Sequence, residues 1–170
     1  MNIKRYFVDQ LKVVYPERIA AAGRSEAEAD EEADQVRADS PGKEDQKSAE
    51  PQMRLASGHR RRRNQAVSEM ASLLDFSEKG MPAFKQSQRI DLGALVDVHI
   101  EDEKGQEERT LFILPVGAGE ELTGPGGDGF VVVVTPKSPV GKALMHTRID
   151  DSFEIVIDGR DREWTIVDLC

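Results

Sequence analysis

The chain has 170 residues, of which 32% are charged and 5% aromatic, with 32 carboxylates against 23 Lys and Arg and a formal net charge of −9. That leaves room for one core of about 80 to 100 residues plus an extension, not for two full globular domains, and only part of so polar a chain can bury a substantial core. The single cysteine, Cys170, excludes an intrachain disulfide and fits a reducing compartment; no apolar run approaches the ~18 residues of a membrane span, and the opening MNIKRYFVDQ lacks a signal-peptide core, so a cytoplasmic protein without membrane contact is expected.

Positions 1–80 read as an antiparallel helical hairpin of coiled-coil type. On the first arm Val8, Leu11, Tyr15, Ile19, Ala22, Ala29, Ala33 and Val36 fall at steps of three and four, with Glu26 in the polar gap. On the return arm Ala49, Met53, Ala56, Val67, Met70 and Leu74 do the same, with Arg60 and Arg63 at intervening seam positions. The breaker cluster Ser40-Pro41-Gly42 would fold the chain and bring Glu26 near Arg60, each arm being roughly 40 Å long. A competing expectation is a loosely ordered acidic segment around 25–58: Gly23, Gly58 and Pro51 sit inside the proposed arms, and small residues dominate the seam.

Charge is segregated. Positions 26–50 carry ten carboxylates, and positions 54–63 carry five arginines and none. His59 and the run Arg60, Arg61, Arg62 and Arg63 are candidate contacts for RNA phosphates. Four consecutive arginines spread around most of a helix, however, so only two share a face, and a solvated, partly ion-paired surface is the expectation favoured here. Asp39, Glu44 and Asp45 are candidate carboxylates at the tip of the hairpin. Adjacent Glu44 and Asp45 diverge by about 100° on a helix but could converge on a turn, and Asp39 with Asp45 across Pro41-Gly42 is a second pairing.

After a linker over 81–90, positions 91–170 read as a sheet. Ala94–Ile100 and Leu111–Leu114 are strands joined by the polar turn EDEKGQEERT. The stretch GPGGDG, at 124–129, lacks the lysine and the following helix of a phosphate loop and reads as a hairpin turn. FVVVV from position 130 is a buried strand. Pro139 then sets φ for a first helical turn, Ser138 caps it, and Val140, Ala143 and Leu144 form a one-turn apolar face. Phe153, Ile155 and Ile157 alternate with polar neighbours, Gly159 turns the chain, and Trp164, Ile166 and Val167 close the sheet. Positions 81–170 carry 17 carboxylates against 9 basic residues, which disfavours bare nucleic acid and suits a basic protein surface.

The segment TPKSPVGKALMHTRIDD, with Ser138, Pro139, Gly141, Ala143, Leu144 and Asp150 in order, resembles the signature of the bacterial Gre transcription elongation factors (GreA/GreB), and the strand and helix order over roughly 90–169 resembles their FKBP-like carboxyl domain. Tyr15-Pro16-Glu17-Arg18-Ile19-Ala20-Ala21 also resembles a first-arm segment of the type Arg-Pro-Glu-Ile-Ile-Ala-Ala. The resemblance implies an α+β chain: an amino-terminal helical hairpin followed by an antiparallel sheet domain with one short helix. It implies a monomer that binds bacterial RNA polymerase near the secondary channel, docked by Ser138 and Pro139, with Lys137 standing where relatives often carry Asp or Asn. Nascent RNA or DNA would be met only within that complex. The chain would hold no cofactor and no metal of its own; in the family the tip carboxylates reach the polymerase's catalytic magnesium and help hold a second ion and the attacking water, which is the chemistry two nearby hard cations supply to an in-line displacement.

The tip departs from the family. In place of a sequence of the type Gly-Asp-Leu-Lys-Glu-Asn-Ala-Glu-Tyr it reads DSPGKEDQKSAEP, so regulation by channel occupancy is expected ahead of stimulated cleavage of backtracked RNA. Two other classes compete. A prolyl isomerase would need an aromatic cluster, and Phe84, Phe112, Phe130, Phe153 and Trp164 fall mostly at core-strand spacing; fold alone does not establish that activity. An adaptor with an acidic arm for some other basic partner is the third. No hydrolytic centre is indicated, His59, His99 and His146 being far apart.

Overall fold

In a computed structural model, which describes residues 2–39, 49–127, 129–157 and 159–170, the chain forms a helical hairpin and a six-stranded sheet with one short helix. The hairpin arms are α1 (Ile3–Asp39) and α2 (Glu50–Glu78). The side chain of Asn2 caps α1, accepting from the amides of Lys4 at 3.1 Å and Arg5 at 3.4 Å. Pro16 lies inside α1 and supplies no amide hydrogen to its ladder. By contact the chain divides into two compact units, residues 1–11 with 72–170, and residues 12–71. Among the described residues no helix is long and apolar enough to cross a membrane.

The hairpin unit is seamed by small side chains. Ala29 and Ala33 are buried on α1, Ala56 and Ala66 on α2, and Ala49 just before α2. Here the sequence expectation needs correcting. Met53 and Val67 are 45% and 49% exposed, and Leu74, in the other unit, 38%. The register runs 49, 52, 56, 59, 63, 66, 70, 73, every one of these positions being buried or half-buried. The seven-residue step through Ala49, Ala56, Arg63 and Met70 is as expected, but the intervening contact falls one residue earlier. The larger apolar side chains suggested the wrong phase, because helices that approach closely need small groups between them.

The sheet comprises β1 (Leu95–Asp102), β2 (Gly105–Ile113), β3 (Glu121–Thr123), β4 (Phe130–Val134), β5 (Ser152–Ile157) and β6 (Arg160–Leu169), with α3 (Pro139–Leu144) between β4 and β5. The spatial order is β3-β4-β2-β1-β6-β5. All neighbours are antiparallel except β2 and β4, which run parallel, so the sheet is mixed where an antiparallel one was expected. The cause is β3, which the sequence reading missed: it runs down the far side of β4, and the glycine turn then returns β4 between β3 and β2. The polar stretch EDEKGQEERT is likewise mostly strand, β1 and β2 pairing out to Asp102 opposite Gly105.

Alternation separates two faces. On one, Val96, Val98, Ile100, Leu111, Ile113, Trp164 and Ile166 form a core with Ile90 and with Leu144 of α3. On the other, Phe112 meets Phe7 of α1 at a centroid separation of 6.2 Å. The Lys4 ammonium donates to the Pro82 carbonyl at 2.7 Å and lies 4.9 Å from the centre of the Phe84 ring. Gln10 closes the β3 edge: its amide group donates to the Thr123 carbonyl at 2.8 Å and accepts from the Thr123 amide at 3.1 Å, the pair of bonds a neighbouring strand would make.

Candidate protein-docking site

The turn between β4 and α3 is built from interlocking backbone constraints. Ser138 is the N-cap of α3, at φ −70° and ψ 155°. Its hydroxyl donates to the Thr135 carbonyl at 2.8 Å and accepts from the Gly141 amide at 3.1 Å, while its own amide donates to the same Thr135 carbonyl at 2.9 Å. One hydroxyl therefore ties the strand end to the helix start, and Pro139 follows at a position where a missing amide hydrogen costs nothing. Gly141 is obligatory for space: a Cβ there would stand 1.9 Å from the Thr135 carbonyl oxygen.

The far end of α3 is equally fixed. The Met145 amide returns to the Gly141 carbonyl at 3.0 Å, and His146 takes a left-handed φ of +67°. His146 then donates to the Ile90 carbonyl, and Ile90 to the Thr147 carbonyl, each at 2.9 Å. Asp150, also left-handed at φ +70°, donates to Ile166 at 3.0 Å, and the Asp151 carboxylate accepts from the Arg148 amide at 2.8 Å. The helix is thus clamped to the segment before β1 and to β6. Lys137, Pro139, Lys142, His146, Arg148, Asp150 and Asp151 are left exposed, a surface of mixed charge on a rigid frame.

The sequence reading singled out Lys137, Ser138 and Pro139, and the structure brings them together on this turn. It did not single out the Thr135 carbonyl, which receives two of the bonds, nor the Ile90 clamp. The first could have been found from Ser138 standing three residues after Thr135; the second is long-range and has no local signal.

On the hairpin unit, the arginines divide. Arg60 Nε is 2.6 Å from Glu26 Oε1 and Arg63 Nη1 is 2.9 Å from Glu26 Oε2, with Arg60 Nη2 3.4 Å from Asp30. The hydrogen bond that Arg60 donates to Glu26, aided by the charges of Glu26 and Asp30, raises the Arg60 pKa further. Glu26 is buried, and its carboxylate holds the guanidinium groups of Arg63, on the seam, and of Arg60, which is exposed beside it. Arg61 and Arg62 stay exposed. Arg62 lines a groove of about 430 Å³ with Arg18, His59 and Gln65 over Ala21, Ala22 and Ala66. Asp39 is the exposed last residue of α1; Glu44 and Asp45 lie outside the described residues.

The described residues thus give a two-helix arm and a mixed sheet whose short helix begins at a Ser-Pro cap. Residues 85–169 match the family model described as "Transcription elongation factor, GreA/GreB, C-term", and the chain belongs to the GreA/GreB family. Solved structures similar to it include GreA factor homolog 1 (Gfh1) of Thermus thermophilus, at 18% identity over 98% of this chain and 94% of that one with a TM-score of 0.34. Thermus aquaticus Gfh1 is 16% identical over 91% and 90%, with a TM-score of 0.35. The GreA/GreB factor from Nitrosomonas europaea is 18% identical over 61% and 77%, with a TM-score of 0.35. No curated protein sequence matches the chain.

Proposed function

We propose that this chain binds bacterial RNA polymerase as a monomer through the Ser138–Pro139 turn and regulates transcription by placing its hairpin in the secondary channel. The observation that carries the reading is the turn itself: its hydroxyl lock and the space reserved at Gly141 hold an exposed surface in one shape, within the part of the chain that matches the family. Lys137 gives that surface a cationic entry, so the complementary patch on the polymerase would be acidic at that point. The site of action is cytoplasmic, and the protein holds no metal of its own.

Occupancy is favoured over stimulated cleavage because the tip sequence lacks the family's carboxylate register. Cleavage through Asp39, Glu44 and Asp45, sharing the polymerase's magnesium, is the alternative, and the reaction would then be the polymerase's. Phosphate contact with extruded RNA falls to Arg61 and Arg62, since Glu26 engages Arg60 and Arg63.

The test is a backtracked elongation complex with labelled RNA 3′ ends, given wild-type protein, Glu44→Ala/Asp45→Ala, and Lys137→Glu/Pro139→Ala. Expected are no release of short 3′ fragments and displacement of an authentic Gre factor by the first two proteins but not the third. Fragment release that Glu44→Ala/Asp45→Ala abolishes would replace occupancy by cleavage. Failure to displace the Gre factor at all would leave the adaptor reading in its place.

A further inference from the structure

A second surface lies toward the opposite end of β4 from the Ser138 turn. Where β1 meets β6 the register slips between Asp97 and Val98, and such a bulge re-aims a side chain. Asp97 pairs with Asp168 and Val98 with Ile166, so Val167 is left over, and it is 54% exposed. Phe130, the first residue of β4, is 65% exposed, although its β4 neighbours Val131, Val133 and Val134 are buried. An exposed aromatic and an exposed valine on a well-packed sheet represent apolar area that folding has not removed from water.

They line one groove of about 570 Å³, with Val98 and Val132, and its polar lining includes Asp97, Glu108 and Glu121. Among the described residues Arg109 is the only cation in that lining, and Glu107 already engages it at 3.2 Å. Thr110 donates to Asp97 at 2.6 Å, which fixes that carboxylate without neutralising it. The groove therefore sets exposed apolar side chains beside an excess of negative charge. Nucleic acid is repelled by such a rim, and an anionic membrane surface likewise.

We propose that this groove receives a basic segment of a partner protein, one that presents an aliphatic or aromatic side chain between Lys or Arg residues. The apolar side chain covers Phe130 and Val167, and the flanking cations meet Glu108, Glu121 and Asp97. Rim charges of this kind govern choice of partner and encounter rate more than raw affinity, which the apolar contact supplies. The inference goes beyond the docking turn and names a second, independent contact.

The test uses the full chain, isotopically labelled for NMR, titrated with the end-blocked peptide Arg-Leu-Arg-Phe-Arg and with Ser-Leu-Ser-Phe-Ser and Glu-Leu-Glu-Phe-Glu as controls. Amide shifts are expected at Val98, Arg109, Val132 and Val167 with the arginine peptide, and are expected to shrink as salt rises. Glu108→Lys/Glu121→Lys should weaken binding about tenfold, and Phe130→Ser by a similar factor, while Glu154→Lys/Glu163→Lys on β5 and β6 should leave it unchanged. Absence of binding, shifts scattered over the acidic surface, or equal loss in the β5/β6 variant would overturn the proposal. So would equal binding of the serine peptide, or shifts at the same residues with a ten-residue oligouridine.

Discussion

The sheet unit and the hairpin unit are stabilised by different means. In the sheet, Phe112, Leu111, Ile113, Trp164 and Ile166 are buried to 3% exposure or less, and each large side chain contributes about 1.5 to 3 kcal/mol of burial. Among the described residues of the hairpin the buried set is mostly alanine, with Tyr15 as its one large member and Glu26 as its ionic one. An alanine seam gains little per residue and depends on helix propensity and on close approach. The sheet fixes its own frame, and the arm persists on a thin margin that charge is able to tip.

Truncating one core residue in each unit separates the two modes of stabilisation. Phe112→Ala is expected to cost about 4 kcal/mol, and Ala33→Gly about 1 kcal/mol. Urea titrations followed by the fluorescence of Trp164, the only tryptophan, report the sheet, and ellipticity at the helix band reports chiefly the arms. If the two probes move together in both variants, the units are one cooperative block and the contrast fails.

Gly141→Ala comes next, at about 3 kcal/mol, because backbone and not a flexible side chain must give way. The loss should appear in the tryptophan signal and leave the helix band's transition in place. A variant as stable as wild type would mean that the β4–α3 turn relaxes freely.

Charge tests the arm. Glu26→Lys places a third cation against Arg60 and Arg63 and is expected to destabilise the hairpin by about 2 kcal/mol, since a partly buried pair is replaced by repulsion. High salt should recover part of that loss. Stability insensitive to both would assign the arm's cohesion to the alanines alone.

The smallest expected effect concerns Cys170. Burial raises its thiol pKa, Lys4 pulls it back down, and Asp168 and Asp97 push it up again. Lys4→Met removes the one influence that favours the thiolate, so the pKa rises further and alkylation by iodoacetamide at pH 8.5 should slow roughly twofold. Faster alkylation would mean that the substitution exposes the thiol and that burial, not charge, dominates there.

What was legible in the sequence was local. Ser138, Pro139 and Leu144 announce a cap, a first turn and a buried face within seven residues, and each signal is a property of neighbouring atoms. The alternation of Phe153, Ile155 and Ile157 was legible for the same reason. β3 was not: Glu121–Thr123 is three residues long, too short for alternation to speak, and it is held by β4 on one side and by Gln10 from far away in the chain. The outer parts of β1 and β2 were hidden because both faces are polar there, Gly105 to Arg109 being exposed throughout. The seam of α2 was read one residue late because Met53, Val67 and Leu74 outweigh Ala66 on any hydrophobicity scale, whereas packing at close range selects for volume.

A sheet with an open edge is an unfinished crystal: every unpaired amide and carbonyl along it is a growth site. By answering both groups of Thr123 with one side chain, Gln10 terminates growth on the β3 side without adding a strand. Gln10→Leu would keep the helix and remove the stopper, and light scattering of the concentrated variant should climb over days while the wild type stays flat. A single amide side chain would then decide whether this molecule stays dispersed or polymerises.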